Sequence, residues 1–182
     1  MSIATYKLPE GETRDWMVND HVVVEDRDEP KLSYEGDVLE VIQAQDGRNP
    51  EILTVKSDRT GETERVNSAA CKLLEPAYRV TTEVRTMASV AEEYPDEFEE
   101  YLDDTESYEY DAYLFDRNGE VVARIQSYSD MAGLGGHPGQ TLSKEAAERA
   151  CQDIEKSVAL GRTYEYFDRD TWTGAGVLPQ RS

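Results

Sequence analysis

Eight carboxylates crowd the thirteen residues from Glu92 to Asp104: Glu92, Glu93, Asp96, Glu97, Glu99, Glu100, Asp103 and Asp104. Such a row reads first as a solvated helix face and second as a docking face for a basic partner. A calcium loop needs alternating oxygen ligands, a glycine and a distal glutamate. That pattern is missing here and at Asp116-Arg117-Asn118-Gly119.

The groups that do catalysis at neutral pH are few. His21 falls in a strand pattern and His137 in a glycine-rich loop, with no HExxH, no GxSxG and no cysteine paired in sequence with a histidine. Carboxylate pairs are so numerous that none is singled out for glycosidase chemistry. Cys71 and Cys151 lack metal-ligand spacing and read as buried free thiols, with a disulfide between them the open alternative.

Glycines 133, 135, 136 and 139 precede a helix start, where a phosphate loop would sit. The Walker pattern requires Gly-Lys-Ser/Thr, and this chain has Gly139-Gln140-Thr141; a dinucleotide fingerprint would need glycine at Pro138. The loop reads as a flexible connection that a partner orders. No catalytic, cofactor or metal-binding residue is therefore assigned, and the chain is read as non-enzymatic. The candidate partner-binding residues are the eight carboxylates together with Trp16, Gly135, Gly136 and His137.

Acidic residues number 39 against 19 basic ones, a formal net charge of −20 spread along the whole length, and Arg outnumbers Lys 13 to 6. Adaptation to high salt accounts for the even spread and the scarcity of lysine, because screening relieves carboxylate repulsion. Mimicry of a phosphate backbone is the competing explanation. Direct binding of nucleic acid by the bulk surface is disfavoured, since the long-range field would repel it. The N-terminus lacks the basic start and apolar core of a signal peptide, and no apolar run approaches ~18 residues. A soluble cytoplasmic protein is expected, or a virion component if the source is viral.

These groups must be positioned by two dissimilar halves. After an arm over residues 1–18, residues 19–76 show short β segments at His21–Glu25, Asp37–Ala44, Glu51–Ser57 and Thr63–Asn67. A single helical turn at Asn67–Ala70 and a last short strand then lead to Pro76. The order of elements resembles an SH3-like (KOW-type) small β-barrel, a fold that by itself selects no function.

Residues 77–170 predict an α+β domain, an antiparallel sheet with one or two packed helices, followed by a flexible tail over 171–182. Tyr78–Met87 alternates as a strand. Val90, Tyr94, Phe98, Tyr101 and Leu102 recur at helical spacing, but Pro95 predicts a break, with a short helical turn before it and a helix from Pro95 to about Leu102. Residues 110–128 predict a hairpin about a two-residue type I′ turn at Asn118-Gly119. That register sets Phe115 opposite Val122, Leu114 opposite Ala123 and Ala112 opposite Ile125. Ala147, Ala150, Cys151, Ile154 and Val158 share one face of a following helix, with Ser143 as N-cap and Gly161 at C′. Thr163 onward predicts a closing strand carrying an aromatic cluster.

The motifs Asn118-Gly119-Glu120-Val121-Val122-Ala123, Ser127-Tyr128-Ser129, Ser143-Lys144-Glu145-Ala146-Ala147 and Ile154-Glu155-Lys156-Ser157-Val158 resemble the ββα unit of the YegP-like family. The likeness spans about 50 residues and departs from the family in the inserted glycine loop and the missing tandem copy. It implies an architecture and pairing between copies, and no reaction.

The functional expectation is a protein-binding or assembly component of a halophilic microbe or its virus, engaging a basic protein or a copy of itself. The alternative is an acidic DNA-mimic inhibitor of a DNA-binding or host-defence protein.

Overall fold

The computed structural model describes residues 14–24, 37–44, 51–127 and 141–167. The described residues form two compact units, 14–77 and 78–167.

The first unit is one antiparallel sheet of β1 (His21–Val24), β2 (Leu39–Gln43), β3 (Ile52–Ser57), β4 (Thr63–Asn67) and β5 (Cys71–Glu75). Alternation sends Val22, Leu39, Val41, Leu53, Val55 and Val66 to one face, where they form a fully buried cluster that Trp16, Val24, Ala44 and Cys71 cover. Burial of these side chains is the main stabilising contribution, about 1.5–3 kcal/mol for each large aliphatic. Asn67 caps the 3-10 turn Ser68–Ala70 by accepting from the Ala69 amide at 2.9 Å.

The strands run in the order β4-β3-β2-β1-β5. Among the described residues β4 and β5 are the two edges and do not pair, so the sheet is open where a closed barrel was expected. The second strand is also shorter than its sequence pattern, Leu39–Gln43 in place of Asp37–Ala44. Its broken alternation has a physical cause. Val41 pairs with Val55 and Gln43 with Thr54, so Ile42 is an extra, bulged residue and is 39% exposed. A second bulge leaves Leu74 between the pairs Val22–Leu73 and His21–Glu75, and Leu74 is 50% exposed.

The second unit is a three-stranded antiparallel sheet, β6 (Tyr78–Thr86), β7 (Tyr108–Asp116) and β8 (Val121–Gln126), in that order. The helix α3 (Lys144–Ala159) packs on β6 and β7. Ala112, Leu114, Ala123 and Ile125 from the sheet and Ala147, Cys151, Ile154 and Val158 from α3 are all buried. These side chains form the apolar contact between helix and sheet. Ser143 caps α3 by accepting from the Ala146 amide at 3.2 Å, and Gly161 follows its C-cap with φ 73°.

The hairpin differs from the expected type I′ form. Gly119 alone takes positive φ, at 81°, and Asn118 does not. The Gly119 amide donates to the Asp116 carbonyl at 3.1 Å, and the Glu120 amide donates to the Asp116 side chain at 2.9 Å. Residues 117–119 thus form a three-residue loop closed by a left-handed glycine. Phe115 consequently faces Val121, not Val122. A bulge at Val122 absorbs the extra residue, and from Leu114–Ala123 onward the expected pairs hold.

Between β6 and β7 the chain makes a closed excursion. Thr86 ends the strand one residue before Met87 because its side chain caps α1 (Met87–Glu93), accepting from the Ser89 amide at 3.2 Å. Pro95 opens α2 (Pro95–Phe98), which passes into a 3-10 turn at Glu99–Tyr101 where a helix to Leu102 was expected. The Met87 amide donates to the Ser107 carbonyl and the Ala88 amide to the Asp104 carbonyl, closing the base of the excursion. Met87, Val90, Ala91 and Phe98 form its small core, with Tyr101 against it. At the C-terminal end, Thr163–Glu165 is a 3-10 turn and not the closing strand expected. Among the described residues no helix is long and apolar enough to cross a membrane.

Candidate functional site

The acidic excursion is built from one apolar and one charged side. Val90, Ala91 and Phe98 turn inward, so the intervening carboxylates must turn out. Glu92, Asp96, Glu97, Glu99, Glu100 and Asp103 are exposed and make no ion pair with any described residue. The other two have structural partners. Glu93 accepts from Arg85 Nη1 at 2.6 Å, and its hydrogen bond with Tyr94, then that with Arg85, hold its carboxyl below the usual range. Asp104 accepts from the Ser107 amide at 2.8 Å and the Glu106 amide at 3.1 Å; the Ser107 side chain and amide depress its proton affinity.

Trp16 is half-buried and packs on the core of the first sheet. Gly135, Gly136 and His137 lie outside the described residues. Cys71 and Cys151 are not joined in a disulfide; Cys151 is buried as expected, which raises its pKa, whereas Cys71 is only half-buried. Among the described residues no group of three or more His, Cys, Asp or Glu side chains is arranged to hold a metal ion.

A second charged constellation lies beneath the excursion. Thr82 donates to Glu155 of α3, which marks one face of the sheet. Residues one step out of phase, Arg85, Glu109, Asp111, Tyr113 and Arg124, occupy the opposite face. Glu109 and Asp111 are each 1% exposed. Asp111 Oδ2 accepts from Arg124 Nη2 at 2.9 Å, from the Tyr113 hydroxyl at 3.1 Å and from Arg85 Nη2 at 3.2 Å. Glu109 Oε1 accepts from Arg85 Nε at 3.1 Å and from Arg85 Nη2. Arg124 also lies over the Tyr113 ring, 5.0 Å from its centroid.

Burial raises the Glu109 pKa, outweighing the opposite pull of Arg85. Burial also disfavours the Arg85 charge, but Glu109, Asp111 and Glu93 more than offset it and drive its pKa up. Two atoms of the cluster, Asp111 Oδ1 and Arg124 Nε, are buried without a partner among the described residues. Sequence reasoning assigned this cluster no role. Its signal was the alternation of charged residues, Glu83 and Arg85 on one strand and Glu109 and Asp111 on another. Only the strand pairing puts them on one face.

Fold and charge together define a two-unit α+β protein with open antiparallel sheets and an outward-facing acidic excursion. No protein-family model, curated protein or solved structure matches the chain.

Proposed function

We propose that the chain is a non-enzymatic protein-binding component that engages a basic protein partner through the α1–α2 carboxylates. The observation that carries this reading is the set of six exposed carboxylates on an excursion whose apolar side is packed and whose base is closed by hydrogen bonds. A face held in one conformation loses little entropy on docking, and unneutralised charge accelerates encounter with a basic surface.

The setting we propose is the interior of a halophilic microbe, or a particle of its virus, where salt screens a net charge of −20. The meander with its 3-10 turn before β5 supports an SH3-like reading of the first unit. The β7–β8–α3 arrangement supports a YegP-like reading of the second. Both readings suit an assembly component.

The test measures binding of the full chain to an arginine-rich synthetic peptide, and its self-association by light scattering, from ~0.1 to ~3 M salt. Replacing Asp96, Glu97, Glu99 and Glu100 by their amides should weaken peptide binding at least tenfold at low salt. Unchanged binding would overturn the assignment of the face. Association that persists in molar salt supports an assembly role. Peptide binding should weaken as salt rises, as any carboxylate contact must; a chain that stays monomeric throughout the salt range supports nucleic-acid mimicry instead.

A further inference from the structure

We propose that the Arg85–Glu109–Asp111 cluster is a proton-operated latch: with Glu109 protonated it holds the C-terminal end of α1 to the sheet, and with Glu109 ionised it releases that end. This rests on the arrangement of the cluster and stands whether or not the acidic face binds a partner.

The groups around Glu109 come from every neighbouring element. Arg85 faces it from β6, with the exposed Glu83 next along the same face. Asp111 and Tyr113 follow on β7, Arg124 projects from β8, and Glu93 and Tyr94 stand at the end of α1. Three carboxylates, Glu93, Glu109 and Asp111, thus converge on two guanidiniums. Asp111 receives donors from both arginines and from a phenol. Glu109 has Arg85 as its cationic partner, and both Arg85 donors meet on Oε1, leaving Oε2 to carry a proton.

With that proton in place, two negative charges balance two positive ones. Without it, a buried excess charge sits two residues from Asp111 on the same face. Arg85 is also the α1 tether, since its Nη1 holds Glu93 while Nε and Nη2 hold Glu109. An ionised Glu109 adds a third negative charge beside this guanidinium, and Glu93, held through the separate Nη1 donor, is the exposed member that can leave for water. Val90 and Ala91 keep the rest of α1 seated, so release is confined to its last turn.

The direction follows from linkage. A carboxyl that binds its proton more tightly when folded adds stability below its ordinary range, and that stability is lost as pH rises through the folded value. The latch is closed on the acid side and loosens on the alkaline side.

The test combines a carbon-detected NMR titration of the Glu109 carboxyl in the full chain with amide exchange of Glu92–Tyr94. Exchange is compared between wild type and Glu109→Gln at the same pH, from about pH 5 to 9. Glu109 should titrate above the ordinary ~4.3, and wild-type opening relative to the variant should grow as pH passes that value, by up to about tenfold per pH unit. An ordinary Glu109 titration, or a wild-type to variant ratio that stays flat, would overturn the proposal. If Glu109→Gln does not fold, exchange of Glu92–Tyr94 relative to Ala112 in the wild-type chain decides in the same way.

Discussion

Asp20 is fully buried and binds four donors: Arg14 Nη1 at 2.6 Å and Nη2 at 2.8 Å, the Met17 amide at 2.8 Å and the Ala77 amide at 2.8 Å. It joins the lead-in of the first unit to its last residue, 57 positions away in sequence. Asp20→Ala leaves a part-buried guanidinium and two buried amides without their acceptor. We expect a loss of about 3–5 kcal/mol for that unit, measured by urea unfolding followed through the Val22 and Val55 amides. A loss below about 1 kcal/mol, the worth of an ordinary exposed pair, would refute the clamp. Asp37 is a smaller tie, accepting from Arg59 Nε at 2.7 Å and Ser57 Oγ at 2.8 Å. The Arg59 and Ser57 hydrogen bonds lower its pKa. Its contribution is therefore present above the ordinary aspartate range and fades as pH falls through the lowered folded value. Arg59→Met should flatten that acid-side dependence in a pH series of unfolding midpoints. Neither role was legible in the sequence, because a carboxylate surrounded by 38 others carries no local mark of its partner.

At the scale of elements, periodicity did predict β1 to β8 and α3; it failed at Thr163–Glu165, a 3-10 turn in place of a strand, and where one extra residue entered. The bulges at Ile42, Leu74 and Val122 each break an alternation, and a bulge is chosen by the partner strand as much as by its own residues. The hairpin loop shows the competition: Asn-Gly suits a type I′ turn, but the Asp116 side chain captures the Glu120 amide and stabilises the longer loop. Gly119 must be left-handed there, although a Cβ would meet nothing within 4 Å. Gly119→Ala should cost about 1–2 kcal/mol from backbone strain alone, and Gly119→Asn clearly less; equal losses in thermal unfolding would contradict this origin. Ile154→Ala, at the fully buried centre of α3, should cost about 2–5 kcal/mol by the same measurement. Pro95 ended one helix and began another as its missing amide requires, but the α-to-3-10 change after Phe98 had no sequence mark.

For the whole molecule the dominant quantity is the net charge of −20. Self-repulsion of this size opposes compaction and is screened over about 10 Å at 0.1 M salt and about 3 Å at 1 M. Raising salt across that range should raise the thermal midpoint, and sodium chloride and potassium chloride should act alike if screening is the cause. A midpoint that is flat or falls with salt would show that self-repulsion does not limit the stability of the fold.

The amino-acid sequence determined by itself the charge, the order of strands and helices, the caps of α3 and the amphipathic faces. All of these depend on neighbours within about four positions along the chain, which a sequence contains directly. Only the tertiary structure decided that the five-stranded sheet stays open, and that Glu93 and Asp104 of the acidic row have structural partners. It also decided which carboxylates meet Arg85 and Arg124. Those outcomes depend on strand pairing and burial, which bring together Arg85, Glu109 and Arg124 from three separate strands and set the environment of each charge.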